Sequence, residues 1–323
     1  MVFIGYHASH EQLPPSVLLD SVRRAEDAGF DGAMCSDHLA PWSPRQGESG
    51  FAWSWLGAAL AATSFSLGVV NAPGQRYHPV IVAQAVATLE EMFPGRFWAA
   101  LGSGEAMNEH VTGDPWPAKG DRNARLAESV DVIRRLLAGE TVTHDGHVMV
   151  HEARVWSRPA APPPLFGAAV SAETAGWLAG WADGLATVAQ APNALRQVLG
   201  AYRGQGGRGP AVLQVHVSLA PTDAEALAVA QDQWRNGLVS PPDCWDIQQP
   251  EAFDEAAGEP VEAEMRRAVL IAHDPAELAK RIAHLAAIGF DRVYLHDVGK
   301  DQQRFLQLAE TELLPRVREA AAS

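Results

Sequence analysis

Apolar and polar positions along the chain follow two alternating periods. Runs such as Phe97-Trp98-Ala99-Ala100-Leu101 are apolar without a break, as strands covered on both faces must be. Between them the apolar residues fall three or four apart, the spacing of a helix with one buried face. The pattern predicts a strand over 2–7, a helix over 15–28, a strand over 29–37, a helix over 53–62 and a strand over 65–71. A helix over 79–92 opens at Pro79, and Pro94-Gly95 turns the chain into a fourth strand over 97–103. Strand-then-helix units in this succession mean parallel strands joined by crossovers.

After a helix over 121–137, two alternating arms flank Asp145-Gly146 and predict a β-hairpin insertion near 141–160. Strands over 165–170, 185–189 and 211–219 then alternate with helices that end near 181, 202 and 234, the first capped by Ser171. Residues 238–262, rich in Pro, Asp and Glu, read as a long irregular insertion. Val269-Leu270-Ile271, a helix over 274–288, a strand over 291–296 and a helix over 302–319 complete the chain. Eight strands alternate with helices and no break in composition divides them. The expected fold class is α/β, a single (β/α)8 TIM barrel over 1–323.

Composition narrows the partners. A net charge of −14 on 323 residues excludes nucleic acid and anionic membrane surfaces, which require clustered cations, and leaves a small-molecule substrate. Cys35 and Cys244 are the only cysteines, without a CxxC pair, which suits a reducing cytoplasm. The first residues start at once as a strand, and no run approaches a membrane span. His144, His147 and His151 on the hairpin lack a cysteine or second carboxylate nearby, so no metal is expected. The Gly-rich stretch 203–209 lacks the Gly-Lys-Ser/Thr ending of a phosphate loop.

Chemistry concentrates where the second strand stops. Ser36-Asp37-His38 arrives at its C-terminal end, followed by Pro41-Trp42 and a loop that Pro44, Gly47 and Gly50 keep irregular. That edge of a parallel barrel collects catalytic groups. A capping Asp and a surface His are the plain alternative. The fourth strand ends at Gly102-Ser103-Gly104-Glu105, a glycine pair that lets backbone approach a flat ring beside a carboxyl group. Histidine is the side chain suited to take a hydroxyl proton near neutrality, and a buried carboxyl is suited to give one up.

Taken together, Ser36-Asp37-His38 with Pro41-Trp42, Arg76-Tyr77-His78-Pro79, Pro94-Gly95-Arg96, Gly102-Ser103-Gly104-Glu105-Ala106-Met107-Asn108-Glu109 and Asp301-Gln302-Gln303-Arg304-Phe305-Leu306 resemble the bacterial luciferase-like oxidoreductases. The resemblance runs end to end and is strongest to the deazaflavin (F420)-dependent glucose-6-phosphate dehydrogenases. It implies hydride transfer between F420 or FMN and a small alcohol or carbonyl compound, in a homodimer. His38 matches the base, Trp42 the residue beside the hydride path, Glu105 the acid that protonates the coenzyme ring, and Glu11 a further acidic pocket residue. Asp37, Ser103, Gly104 and Asn108 match coenzyme contacts. Val70-Asn71-Ala72 falls where related barrels hold a non-proline cis peptide behind the ring, one residue shorter here. Exposure of Trp53, Trp55 and the apolar 56–62 stretch on a lone barrel also points to a dimer.

Two departures stand out. A Gly-Gly pair that receives the coenzyme's phosphate-bearing tail is replaced by Val170-Ser171, with Glu173 close behind, which favours the shorter FMN. The loop after the sixth strand, Val188-Ala189-Gln190-Ala191-Pro192-Asn193, lacks the lysine that grips a sugar phosphate. Arg266 or Arg267 offers one arm of such a clamp, so glucose 6-phosphate is a doubtful substrate. An FMN-dependent monooxygenase and a non-catalytic flavin-binding barrel are the competing readings.

Overall fold

The computed structural model describes residues 2–322. Eight parallel strands close a ring: β1 (Phe3–Ala8), β2 (Ala33–Ser36), β3 (Leu67–Asn71), β4 (Phe97–Leu101), β7 (Leu165–Ala168), β8 (Leu185–Val188), β9 (Ala211–Leu219) and β11 (Arg292–Asp297). Strands β5 (Val142–Asp145) and β6 (Met149–Ala153) form the separate antiparallel hairpin expected of the Asp-Gly turn. The short strand β10 (Leu270–Ala272) stays outside the ring. It pairs with the last three residues of β9, where that strand outruns β8. The fold is the expected (β/α)8 barrel.

Helices α1 (Pro15–Asp27), α2 (Ala52–Ala62), α3 (Pro79–Met92), α5 (Lys119–Ala138), α7 (Pro192–Gly204) and α11 (Pro275–Ala286) stand outside the strands, with the four-residue α4 (Ala106–Glu109) after β4. Helices α1, α3, α7 and α11 carry proline in their first turn, where the missing N–H costs nothing. The apolar faces bury Leu18, Val22, Val82, Val86, Leu278 and Ile282 against the strands. Burial on this scale supplies about 25 cal/mol per Å² of apolar surface, the main favourable contribution to folding.

Inside the ring an aromatic plug fills the lower half. Trp98 stacks on Phe166 at 5.1 Å, and Tyr294 meets Trp98 and Phe3 at 5.8 and 5.6 Å. Gly5 and Gly68 make the room: a Cβ would lie 2.2 Å from Tyr294 and 2.0 Å from Trp98. A barrel closed from below can receive a ligand only at its C-terminal face.

Two expectations are corrected. The 238–262 segment is not wholly irregular, since it holds helix α9 (Pro250–Ala257) and leads into α10 (Glu262–Ala268). Phe253 on α9 and Cys244 are buried with Met107 of α4, so this segment packs as a cap over one side of the barrel mouth. Trp53 and Trp55 are 8 and 5 % exposed, with Leu56, Ala59 and Leu60 at 0 %, because α2 packs into the shared core of a single chain. They carry no argument for a dimer. No helix among the described residues is long and apolar enough to cross a membrane.

Candidate active site

The pairing of β2 between β1 and β3 ends at Ser36, and the next two residues turn onto the C-terminal rim. Asp37 is buried rather than a surface cap. Its Oδ2 accepts from Asn71 Nδ2 at 2.7 Å and its Oδ1 from the Tyr77 hydroxyl at 3.1 Å. The Arg76 guanidinium stands 3.5 Å from Oδ1 and donates to the Asp37 carbonyl at 2.7 Å. A buried carboxylate needs this company, because removing one partner leaves an uncompensated charge. The network anchors the backbone from which the next side chain projects.

That side chain is His38, on the opposite side of the turn. Its Nδ1 lies 3.3 Å from Glu11 Oε1 and its Nε2 lies 3.9 Å from Glu105 Oε2. Its carbonyl accepts from the Ser49 hydroxyl at 2.7 Å, and its ring meets Trp42 edge-on at 4.8 Å. The imidazole is held between two carboxyl groups under an indole.

The two carboxyls differ electrostatically. Burial opposes charge on Glu11, but the His38 ring, the Ser36 hydroxyl, His7 and the Ser9 hydroxyl outweigh it and hold the group below the usual carboxylate range. Both serines donate to its Oε2 at 2.8 Å. Glu105 moves the other way, raised by burial and by the carboxylates of Glu11 and Glu109, with His38 and Arg76 opposing. Two carboxyls shifted in opposite directions on either side of a histidine favour proton movement in one direction.

Asn108 ties these parts together. Its Oδ1 accepts from the Leu39 N–H at 2.8 Å, and its Nδ2 lies 3.4 Å from Glu105 Oε2. Trp42 is fixed through its backbone N–H to Gln46 Oε1 at 2.9 Å and by the Phe253 ring, edge-on to the indole at 5.2 Å. The capping segment therefore builds the wall on which Trp42 leans.

Beside His38 the rim is built from the ends of β3 and β4. Val70 and Asn71 end β3 and Ala72 follows it, while Ser103 and Gly104 follow β4, its neighbour in the ring. Gly104 has φ +85°, and a Cβ there would lie 3.1 Å from Glu109 Cγ and 3.5 Å from Ala72, so glycine keeps this surface open. Asn71 Oδ1 is buried without a hydrogen-bond partner, although its Nδ2 is engaged by Asp37. A free acceptor beside an open glycine ledge fits the N–H edge of a flavin or deazaflavin ring. No cis bond occurs at Val70-Asn71-Ala72; among the described residues the cis peptide is Pro241–Pro242. The segment, one residue shorter than in related barrels, is trans throughout.

The β7 end is occupied by its own bonds. The Val170 carbonyl accepts from Gln190 Nε2 at 3.0 Å, and Ser171 Oγ caps helix α6 (Ala172–Leu178) by accepting from the Thr174 N–H at 3.3 Å. Glu173 is exposed. Arg266 is not part of the constellation: Glu262 takes its Nε at 2.8 Å, and Asp223 takes both terminal nitrogens. The α10 turn carries the acids Glu262 and Glu264 beside Arg266 and Arg267, and local pairing wins over a reach into the barrel.

Several buried groups escaped the sequence reading. Glu109 accepts the backbone N–H of Arg76 at 2.6 Å, and burial pushes its carboxyl up. His7, His216 and His296, from β1, β9 and β11, are buried together: His7 stacks on His296 at 4.6 Å, and His216 meets His296 at 5.2 Å. Alternation within each strand points these histidines inward, the signal by which they were findable.

Residues 1–292 match the family described as luciferase-like monooxygenase. The F420-dependent glucose-6-phosphate dehydrogenase of Nakamurella multipartita is 38% identical, the match covering 97% of this chain and 96% of that one. The enzyme of the same name from Beutenbergia cavernae is 36% identical over 98% of both. Among solved structures, an F420-dependent secondary alcohol dehydrogenase in complex with an F420-acetone adduct superposes with a TM-score of 0.91 at 29% identity, over 98% of this chain and 99% of that one.

Proposed function

The chain belongs to the luciferase-like monooxygenase family, and we propose that it is an F420-dependent oxidoreductase moving hydride between the coenzyme and a small alcohol or carbonyl compound. The observation that carries this reading is His38 held between Glu11 at 3.3 Å and Glu105 at 3.9 Å. Because Nδ1 faces the ionised Glu11, it carries the ring proton, and Nε2 is the atom left to take the substrate hydroxyl's proton. Glu11 balances the imidazolium so formed. Glu105, whose carboxyl burial pushes above the usual carboxylate range, is the acid on the coenzyme side. Trp42 closes the path to water.

In this reading the ring lies along Val70, Asn71, Ala72, Ser103 and Gly104, with Asn71 Oδ1 accepting from its N–H edge. When bound, the coenzyme supplies the carbon that accepts or returns hydride. Asp37 and Asn108 act behind this surface, holding Asn71, Leu39 and Glu105. Glucose 6-phosphate, named for the relatives, is disfavoured by the absence of a cation in 188–193 and by the engagement of Arg266 with Asp223 and Glu262.

Fluorescence titration with F420 and FMN, followed by anaerobic reduction with 2-propanol, tests the reading. Binding of F420 at micromolar concentration with loss of its oxidised absorbance is expected. Failure of both coenzymes to bind sinks the reading. FMN is the second choice, favoured by Val170 and Ser171 where a long anionic tail would run. If so, Val170→Gly with Glu173→Ala tightens F420 by about 1 kcal/mol and leaves FMN unaltered. A homodimer is also proposed. Phe51 and Ile81, 55 and 54 % exposed beside a shallow groove of about 290 Å³, are its surface candidates, and light scattering at micromolar concentration decides it.

A further inference from the structure

The upper layer of the barrel interior is divided. On the coenzyme side, Val70, Ala100 and Ala168 make it apolar. On the far side, next to Glu11 and His38, it is built from His7, His216 and His296, with Trp234 packed against the last two at 4.3 and 4.7 Å. Its hydrogen bonds specify what it can receive. Gln12 Nε2 donates to the Val298 carbonyl at 2.6 Å, which turns Gln12 Oε1 toward His296 Nε2, also at 2.6 Å. Nε2 of His296 therefore bears the proton, and its Nδ1 is a bare acceptor. That Nδ1 is buried without a partner, as is Nδ1 of His7.

Cations on the adjoining loops are engaged elsewhere. Lys300 donates to the Arg45 and Gln46 carbonyls at 2.9 Å, and Arg304 to the Leu219 carbonyl at 3.1 Å. Three imidazoles in contact cannot all be charged, and burial keeps them neutral, His7 at about 4 and His216 at about 3. A phosphate dianion brings only acceptors to such a layer. A hydroxyl brings the missing donor.

We infer that this imidazole layer recognises a second hydroxyl, so the substrate is an uncharged polyhydroxy compound, a diol, polyol or unphosphorylated sugar. The inference rests on the hydride-transfer reading above and names its substrate class. His216, at the layer's more open edge with 9 % exposure, meets the ligand first.

The test compares 2-propanol with 1,2-propanediol, and glycerol with glycerol 3-phosphate, using the full chain with F420. Expected are a kcat/KM about tenfold higher for the diol than for the monohydric alcohol, and a preference for glycerol over its phosphate. His296→Leu should lower the diol's kcat/KM about tenfold more than that of 2-propanol, and His296→Gln should restore part of the difference. His216→Leu replaces it if that protein does not fold. Independently of turnover, 1,2-propanediol should shift the imidazole ¹⁵N resonances of the unreacted protein. Equal handling of diol and monohydric alcohol, or preference for the phosphate ester, overturns the inference while leaving hydride transfer standing. Imidazole shifts without oxidation of any alcohol would overturn hydride transfer and keep the recognition layer. Neither shift nor preference means the histidines are closed packing.

Discussion

Nδ1 of His38 and Oε1 of Glu11 face each other across 3.3 Å, and neither atom meets the geometry of a hydrogen bond with any group among the described residues. The pair is long and misaligned as it stands, as catalytic contacts often are before substrate binds. Glu11 sits on the loop after β1 and His38 on the loop after β2, so the parallel pairing of those strands sets the distance. The charge that Glu11 keeps is the one a protonated His38 requires.

His38→Ala should lower turnover by roughly two to four orders of magnitude while coenzyme affinity stays within about twofold, as expected for loss of a general base. Steady-state kinetics beside fluorescence titration measure both. Near-wild-type turnover on a verified substrate removes His38 from the chemistry.

Glu105→Gln should raise thermal stability at neutral pH. The folded-state value of Glu105 lies above its ordinary value because burial disfavours its charge. Its contribution to stability is full below the unfolded value and is lost as pH rises through the folded one. The melting-temperature gap between variant and parent should therefore widen from pH 4 upward, even as the variant loses activity. A gap that narrows with rising pH contradicts the raised value.

Asp297→Asn should act in the same sense. Burial pushes the Asp297 carboxyl up to about 8, against bonds from the Leu219 and Gly299 backbone. Ordinary carboxylates ionise near 4, so stability present below that pH drains away between about pH 4 and 8, by on the order of a few kcal/mol. Melting curves across this window should separate parent from variant progressively. The separation is independent of any substrate.

Arg266→Ala should leave kcat and KM unchanged and shift stability by no more than about 1 kcal/mol, because its pairs with Asp223 and Glu262 are on the surface. A tenfold rise in KM for any substrate returns Arg266 to the site.

The strand and helix order, and with it the barrel, were legible in the chain because uninterrupted apolar runs and helical spacing are local consequences of burial. The eight ring strands lie where the apolar runs fall, and Val269-Leu270-Ile271 stands apart because β9 is long enough to pair with it beyond β8. His38, Trp42 and Glu105 were findable because each sits beside turn residues at a strand end. Local pattern could not say whether Asp37 caps a turn or is buried, since Asn71, Arg76 and Tyr77 reach it from another strand and loop. It could not place Trp53 and Trp55 either, because burial of α2 depends on helices distant in sequence. Local pattern also could not show that Arg266 pairs with Asp223 and Glu262, because charge alone does not tell which carboxylate will claim it. Alternation points His7, His216 and His296 inward, but closure of the ring decided that they form a layer: β1, β9 and β11 become neighbours only in three dimensions, and their inward residues meet there.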